Sequence, residues 1–161
     1  EKDYKINTVA KLRGIKDILK SKKISLNAAE NELVNTPEVG ATSIRAMSAL
    51  QQIPIIYKIG NAFYNFSIET DKSPILIEKV DKNHKLYLGD ASALCDKIVK
   101  GCFEIDPKKP MRGISTFTLG ELQQICFKLD IETQNEAGKP KLKRVLYDEI
   151  IVKLGKLHEP V

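Results

Sequence analysis

Side chains able to do acid–base or metal chemistry are scarce in this chain. Its two histidines, His84 and His158, stand far apart, and neither joins cysteines and carboxylates at metal-ligand spacing. Cys95, Cys102 and Cys126 show no CxxC pattern. The first two fall on one side of a predicted helix among apolar neighbours, so all three read as buried free thiols in a reducing compartment. No GxxxxGKS/T, GxSxG, HExxH or GxGxxG motif occurs. Asp and Glu are scattered, and the one catalytic arrangement they leave open is a two-metal nuclease site assembled from distant carboxylates. The inventory points away from an enzyme and implies no cofactor and no metal.

What remains is positive charge. The net charge is +5, from 26 Lys and Arg against 21 Asp and Glu. Residues 1–53 carry nine basic against six acidic side chains, 54–105 seven against seven, and 106–161 ten against eight. The excess sits at the two ends, the pattern expected if the ends touch a polyanion. A solvated surface with a chance excess would give the same numbers. Only Arg13, Arg45, Arg112 and Arg144 are arginines. Lysine is a point charge suited to non-specific phosphate contact, whereas arginine's planar fork reads guanine edges. An AT-rich genome would also favour Lys, Ile and Asn. The densest basic groups are Lys108, Lys109 and Arg112, then Lys139, Lys141, Lys143 and Arg144.

The elements that must position these groups follow from periodicity. Residues 8–20 place Val9, Leu12, Ile15, Ile18 and Leu19 on one helical stripe, with Thr8 available as a cap. A second helix is expected from Ser25 or Asn27, carrying Leu26, Ala29, Leu33 and Val34. It stops before Thr36-Pro37, because the residue before proline resists the helical region. Residues 41–52 read as a third helix with Ile44, Met47 and Leu50 inward. The run IPIIYKI-GN-AFYNFSI (53–68) predicts a β-hairpin, and glycine first in a two-residue loop suits a type II′ turn. Tyr57, Phe63, Tyr64 and Phe66 alternate along it and read mainly as core, with base stacking as the functional alternative.

Residues 75–80 and 85–88 predict a second strand pair joined by 81–84. Asp90 is expected to cap a helix over 91–103 that turns Ala91, Leu94, Cys95, Ile98, Val99 and Cys102 inward. DPKKPMRG (106–113), with two prolines, a glycine and three basic residues, reads as a linker. Beyond it, Thr116 or Thr118 starts a helix burying Leu119, Leu122, Ile125, Cys126 and Leu129. After a polar loop (132–140), a last helix (140–154) buries Leu142, Val145, Leu146, Ile150 and Leu154.

Three short helices followed by a tight hairpin make residues 8–68 similar, in element order and length, to winged-helix domains. The resemblance implies a third helix in the major groove and a hairpin wing on adjacent backbone. Carried onto this chain, it offers Thr42, Ser43, Arg45, Ser48 and Gln52 from the helix and Lys58 and Asn61 from the wing, of which Arg45 and Gln51/Gln52 are the natural base readers. Residues 114–154 resemble a SAP domain, a small helix–loop–helix DNA-binding module. The match consists of a Thr start, Leu119, Leu122, Ile125-Cys126 and Leu129, then Gly138-Lys139, and Leu142, Leu146 and Ile150. It implies phosphate contact by Lys139 at a helix N-terminus, extended by Lys141, Lys143 and Arg144. The loop is longer than usual in that family, Pro140 replaces a common second lysine, and Glu132 and Glu136 add negative charge.

The expected fold class is α+β: a winged-helix-like three-helix plus hairpin region, a small strand pair with a helix, and a C-terminal helical hairpin. The expected division is a domain over 1–105, a basic linker at 106–113 and a SAP-like hairpin over 114–161. The implied function is a non-catalytic accessory or architectural protein that grips nucleic acid, DNA ahead of RNA, by its phosphates. The alternative is an adaptor subunit that uses the same elements to dock protein. No apolar run approaches the roughly 20 residues needed to span a membrane, and no signal peptide is visible. A chain that begins at Glu1 rather than Met reads as trimmed. The expected location is intracellular: cytoplasmic, nuclear or inside a virion.

Overall fold

The computed structural model describes residues 2–157, so His158 lies outside the described part. The architecture is α+β. Four helices come first: α1 (Lys2–Gly14), α2 (Lys16–Ser21), α3 (Leu26–Asn35) and α4 (Ala41–Gln51). Two hairpins follow, β1 (Ile55–Ile59) with β2 (Ala62–Phe66) and β3 (Ile75–Val80) with β4 (Asn83–Tyr87). Then come α5 (Ser92–Gly101), β5 (Phe103–Glu104), a 3-10 turn over Ile114–Thr116, α6 (Leu119–Leu129) and α7 (Lys143–Leu157). The strands hydrogen-bond in the order β4-β3-β1-β2-β5. Both outer edges of the β1–β2 hairpin are therefore taken, which a free wing would not show.

The chain forms two compact units. One comprises the chain through Tyr57 together with Asn65–Ser92; the other comprises Lys58–Tyr64 and the chain from Ala93 on. Residues 106–113 thus fall inside the second unit rather than between modules, and α5 and β5 group with the C-terminal helices.

In the first unit, the helix expected over 8–20 begins at Lys2 and breaks at Ile15 (φ −111°, ψ 25°). The break follows Gly14, a residue that weakens helices by about 1 kcal/mol relative to alanine. Ser25 caps α3 by accepting the Ala28 N–H, and the chain turns extended at Thr36, before Pro37. Val9, Leu12, Leu19, Ile24, Ala29, Leu33, Ala46 and Ala49 form one apolar cluster. Ile18 and Val34, expected inward, are exposed. Glu32 is buried instead, and its Oε1 accepts the backbone N–H groups of Gly40 and Ser43, so a carboxylate from α3 caps the start of α4.

The predicted first hairpin is present. Gly60 adopts φ +56° and Asn61 does not share a positive φ, as a type II′ turn requires. Tyr57, Phe63, Tyr64 and Phe66 are all buried. In the second pair, Val80 faces Asn83 and Lys79 faces His84. The loop is two residues long, and His84 is a strand residue rather than a loop residue.

In the second unit, Ala62 and Phe63 pair in parallel with Phe103 and Glu104, a two-residue strand that sequence periodicity does not signal. Cys95 and Ile98 of α5 are buried, whereas Leu94 and Val99 are exposed. At about 100° per residue these two lie roughly 70° to either side of the buried stripe, so the contact is one residue wide. Leu122, Cys126 and Leu129 of α6 and Leu146, Ile150 and Leu154 of α7 are buried. Leu119, Leu142 and Val145, also expected inward, are exposed. Val145 lies on the far side of α7 from its buried stripe, and Leu142 precedes the helix.

Candidate nucleic-acid interface

The second unit holds the densest group of site residues, and local chemistry fixes its frame. Thr118 and Glu121 form a reciprocal capping box: the Thr118 hydroxyl accepts the Glu121 N–H, and the Glu121 carboxylate accepts the Thr118 N–H. α6 ends at Asp130 in the left-handed conformation (φ +57°). The loop to α7 is knitted together rather than loose. Asn135 accepts the N–H groups of Ala137 and Lys139 through its side chain, Gln134 bridges to Pro140, and Gly138 takes φ +73°. Lys139 is thereby held just ahead of α7.

The 106–113 segment is also pinned. Asp106 accepts the Lys108 N–H, and the Tyr147 hydroxyl of α7 donates to the Arg112 carbonyl at 2.9 Å. The Arg112 guanidinium lies over the Phe117 ring, 5.0 Å from its centroid. Glu121 is held below the ordinary carboxylate range, first by the Thr118 N–H and hydroxyl and then by the positive charges of Arg112 and Lys143. These two cations are remote in sequence, and the field of both is felt at one carboxylate at the start of α6.

Not every cation is available. Lys141 reaches both carboxylate oxygens of Glu149 at 2.9 Å, and Arg144 bonds Asp148 one helical turn away. Both therefore already have a carboxylate partner on α7. Lys108, Lys109, Lys139 and Lys143 make no ion pair among the described residues. Lys108, Lys109 and Lys139 are exposed and Lys143 half-exposed.

The N-terminal residues fare differently. Ser48 was expected to face outward on the third helix; it is buried, and its hydroxyl donates to the Ile53 carbonyl at 2.7 Å. Ser43 is equally buried and donates to the Ala29 carbonyl. The backbone acceptors each serine meets let a small polar residue enter the core without an unmet hydrogen bond. Arg45 is half-buried and donates to the Lys22 carbonyl. Gln52 is exposed, in the left-handed conformation that ends α4, with its side chain bonded back to the Ala49 carbonyl. Lys58 is half-buried, and Asn61 is exposed with its carbonyl accepting the Phe103 N–H. The polar side of α4 is largely turned into the protein, which withdraws Ser48 as a contact.

Sequence reasoning passed over Phe117, Glu121 and Tyr147. The Thr-x-x-Glu spacing of residues 118–121 was a readable signal for the cap; the Tyr147 bond to Arg112 had none. Burial, then the Glu149 charge, pushes the Cys126 thiol up, so it is a packing residue rather than a nucleophile. Among the described residues there is no cluster of His, Cys, Asp and Glu able to hold a metal, and no helix long and apolar enough to cross a membrane. No family model matches the chain, and neither a curated protein nor a solved structure does.

Proposed function

We propose that the second unit binds nucleic acid without catalysis, duplex DNA ahead of RNA, chiefly through the phosphate backbone. The carrying observation is that this unit exposes Lys108, Lys109, Lys139 and, in part, Lys143, none of them in an ion pair among the described residues, with Arg112 on the same 106–113 segment. Of these, Lys139 and Lys143 are contacts that the SAP-like resemblance implies. Five side-chain cations that displace counterions from phosphates give a log–log salt slope of about −4.5. Fluorescence anisotropy with a short duplex is therefore expected to show an affinity loss of about a hundredfold or more between roughly 50 and 200 mM salt. Charge reversal of Lys109, Lys139 and Lys143 together removes binding. Absent or salt-insensitive binding refutes the reading.

A second reading rests on a different observation. Phe127 is 86 % exposed and Leu142 76 % exposed, two large apolar side chains left to solvent on the same helical hairpin. An adaptor that docks another protein through this hairpin would use both. In that case Phe127→Ser abolishes partner capture, whereas the charge-reversed variant keeps it.

A further inference from the structure

In the first unit, β4 pairs with β3 on one side and has no strand on the other. Val80 and Asn83 close the two-residue turn as a mutually hydrogen-bonded pair, and bonded pairs recur at Glu78–Lys85 and Leu76–Tyr87. His84 and Leu86 therefore turn their N–H and C=O groups away from β3. These groups have no backbone partner among the described residues. Edges of this kind are ordinarily blunted by proline, a bulge or a charge in the line of approach. β4 holds no proline, its register runs without a bulge, and its one lysine, Lys85, lies over the Tyr87 ring, 4.6 Å from the centroid. The two-residue period puts His84, Leu86 and Leu88 on one face. Leu86 is 51 % exposed and Leu88 88 % exposed.

We propose that β4 pairs antiparallel with β4 of a second copy of this chain, about a two-fold axis at Leu86. Self-pairing has few possible registers, because outward-turned residues must oppose outward-turned residues. An axis at Lys85 sets the two lysines directly against each other, which destabilises the pair. An axis at Tyr87 leaves Lys85 opposite Gly89, whose φ of +91° ends the strand. An axis at Leu86 opposes Leu86 with its own copy, His84 with Leu88, and Lys85 with Tyr87, the ring type it already meets within the chain. It also brings the turn that holds Lys82 level with the segment that holds Asp90, once at each end. No like charges meet, and the exposed leucines of both copies are covered together. The interface is closed, since each copy spends the same edge on the other. A second copy is the occupant because the complementarity is that of β4 to itself. The nucleic-acid reading concerns the other unit, and this proposal stands apart from it.

The test is sedimentation equilibrium of the whole chain from roughly 10 µM to 1 mM, joined to disulfide trapping. The average mass is expected to climb toward twice that of one chain. Leu86→Lys puts two ammonium groups on the axis and is expected to stay monomeric at every concentration. Leu86 makes no backbone bond to β3, so the β3–β4 ladder is kept in this variant. Leu86→Cys is the milder change. It is expected to link as a disulfide dimer in oxidised glutathione, because residues opposed in a bonded antiparallel pair have Cα atoms about 5.5 Å apart, within disulfide reach. Val80→Cys is the control: Val80 is 47 % exposed, close to Leu86, but lies off the axis. It is expected to stay unlinked, as is the unaltered chain. The mass of a single chain throughout the range, association unchanged in Leu86→Lys, or linking of Val80→Cys or the unaltered chain as readily as Leu86→Cys overturns the proposal.

Discussion

At the residue scale, Glu32 and Gly40 act as one unit. A β-carbon at Gly40 would lie 2.9 Å from Glu32 Oε1, the atom that caps α4. Gly40→Ala is expected to force the carboxylate aside and cost about 1–3 kcal/mol, read as a lower urea midpoint. Glu32 also explains why a charged residue sits among apolar ones in α3: one oxygen serves two backbone donors, and the other is buried without a partner among the described residues. Ser48 makes the matching point for neutral groups. Ser48→Ala is expected to cost about 1–2 kcal/mol, because the Ile53 carbonyl loses its donor. Nucleic-acid affinity in the same variant should be unchanged, since the side chain is inside. Polarity alone made this serine look like a surface residue. The acceptor that takes it inward comes from the chain just past α4, which no spacing rule reports.

At the element scale, the helix and strand signals divide sharply. Thr118→Ala removes one half of the α6 capping box and is expected to lower stability by about 1 kcal/mol, with faster hydrogen exchange in the first turn of α6. That cap, the Ser25 cap and the Gly60-Asn61 turn were legible because each is a local bargain between neighbouring residues. β5 was not legible, because two residues carry no period and the strand exists only through its partner β2. Leu142 and Val145 were misread for a related reason: an apolar residue just ahead of a helix, or adjacent in sequence to a buried one, reads as part of the stripe although it points elsewhere. The second hairpin carries a pH-dependent element. The Tyr57 hydroxyl and His84 Nε2 are 3.0 Å apart with stacked rings, and His84 faces Lys79 across the strands while Lys79 pairs with Glu38. Partial desolvation of the ring against Tyr57, then the Lys79 charge, lowers the His84 pKa against the opposing pull of Glu38, although His84 keeps much of its surface in solvent. Folding therefore favours neutral His84. Its contribution is full above the unfolded value of about 6.5 and is lost as pH falls through the lower folded value. Urea midpoints measured across that range should drop on the acid side, and His84→Gln should flatten the drop.

At the scale of the whole molecule, the two units are interleaved along the chain, since Lys58–Tyr64 belongs with residues from Ala93 on. A fragment ending at residue 105 keeps every described residue of the first unit but leaves α5 and β5 without α6 and α7. Its amide spectrum is expected to show dispersed signals for α1–α4 and collapsed ones for α5. A fragment with α5 as ordered as in the intact chain would show that 1–105 is self-sufficient after all. Sequence placed the break at 106–113 because proline, glycine and lysine favour exposed, pliable backbone; the Tyr147 bond that fastens this stretch joins residues 35 positions apart. The parallel pairing of Ala62 with Phe103 also sets a timetable for synthesis. The outer rim of β2 leaves the ribosome about forty residues before the strand that covers it, a wait of roughly two to eight seconds at ordinary translation speed. For that interval a row of unmet amides and carbonyls is open to any passing extended chain, and a holdase or a pause in elongation would matter most there.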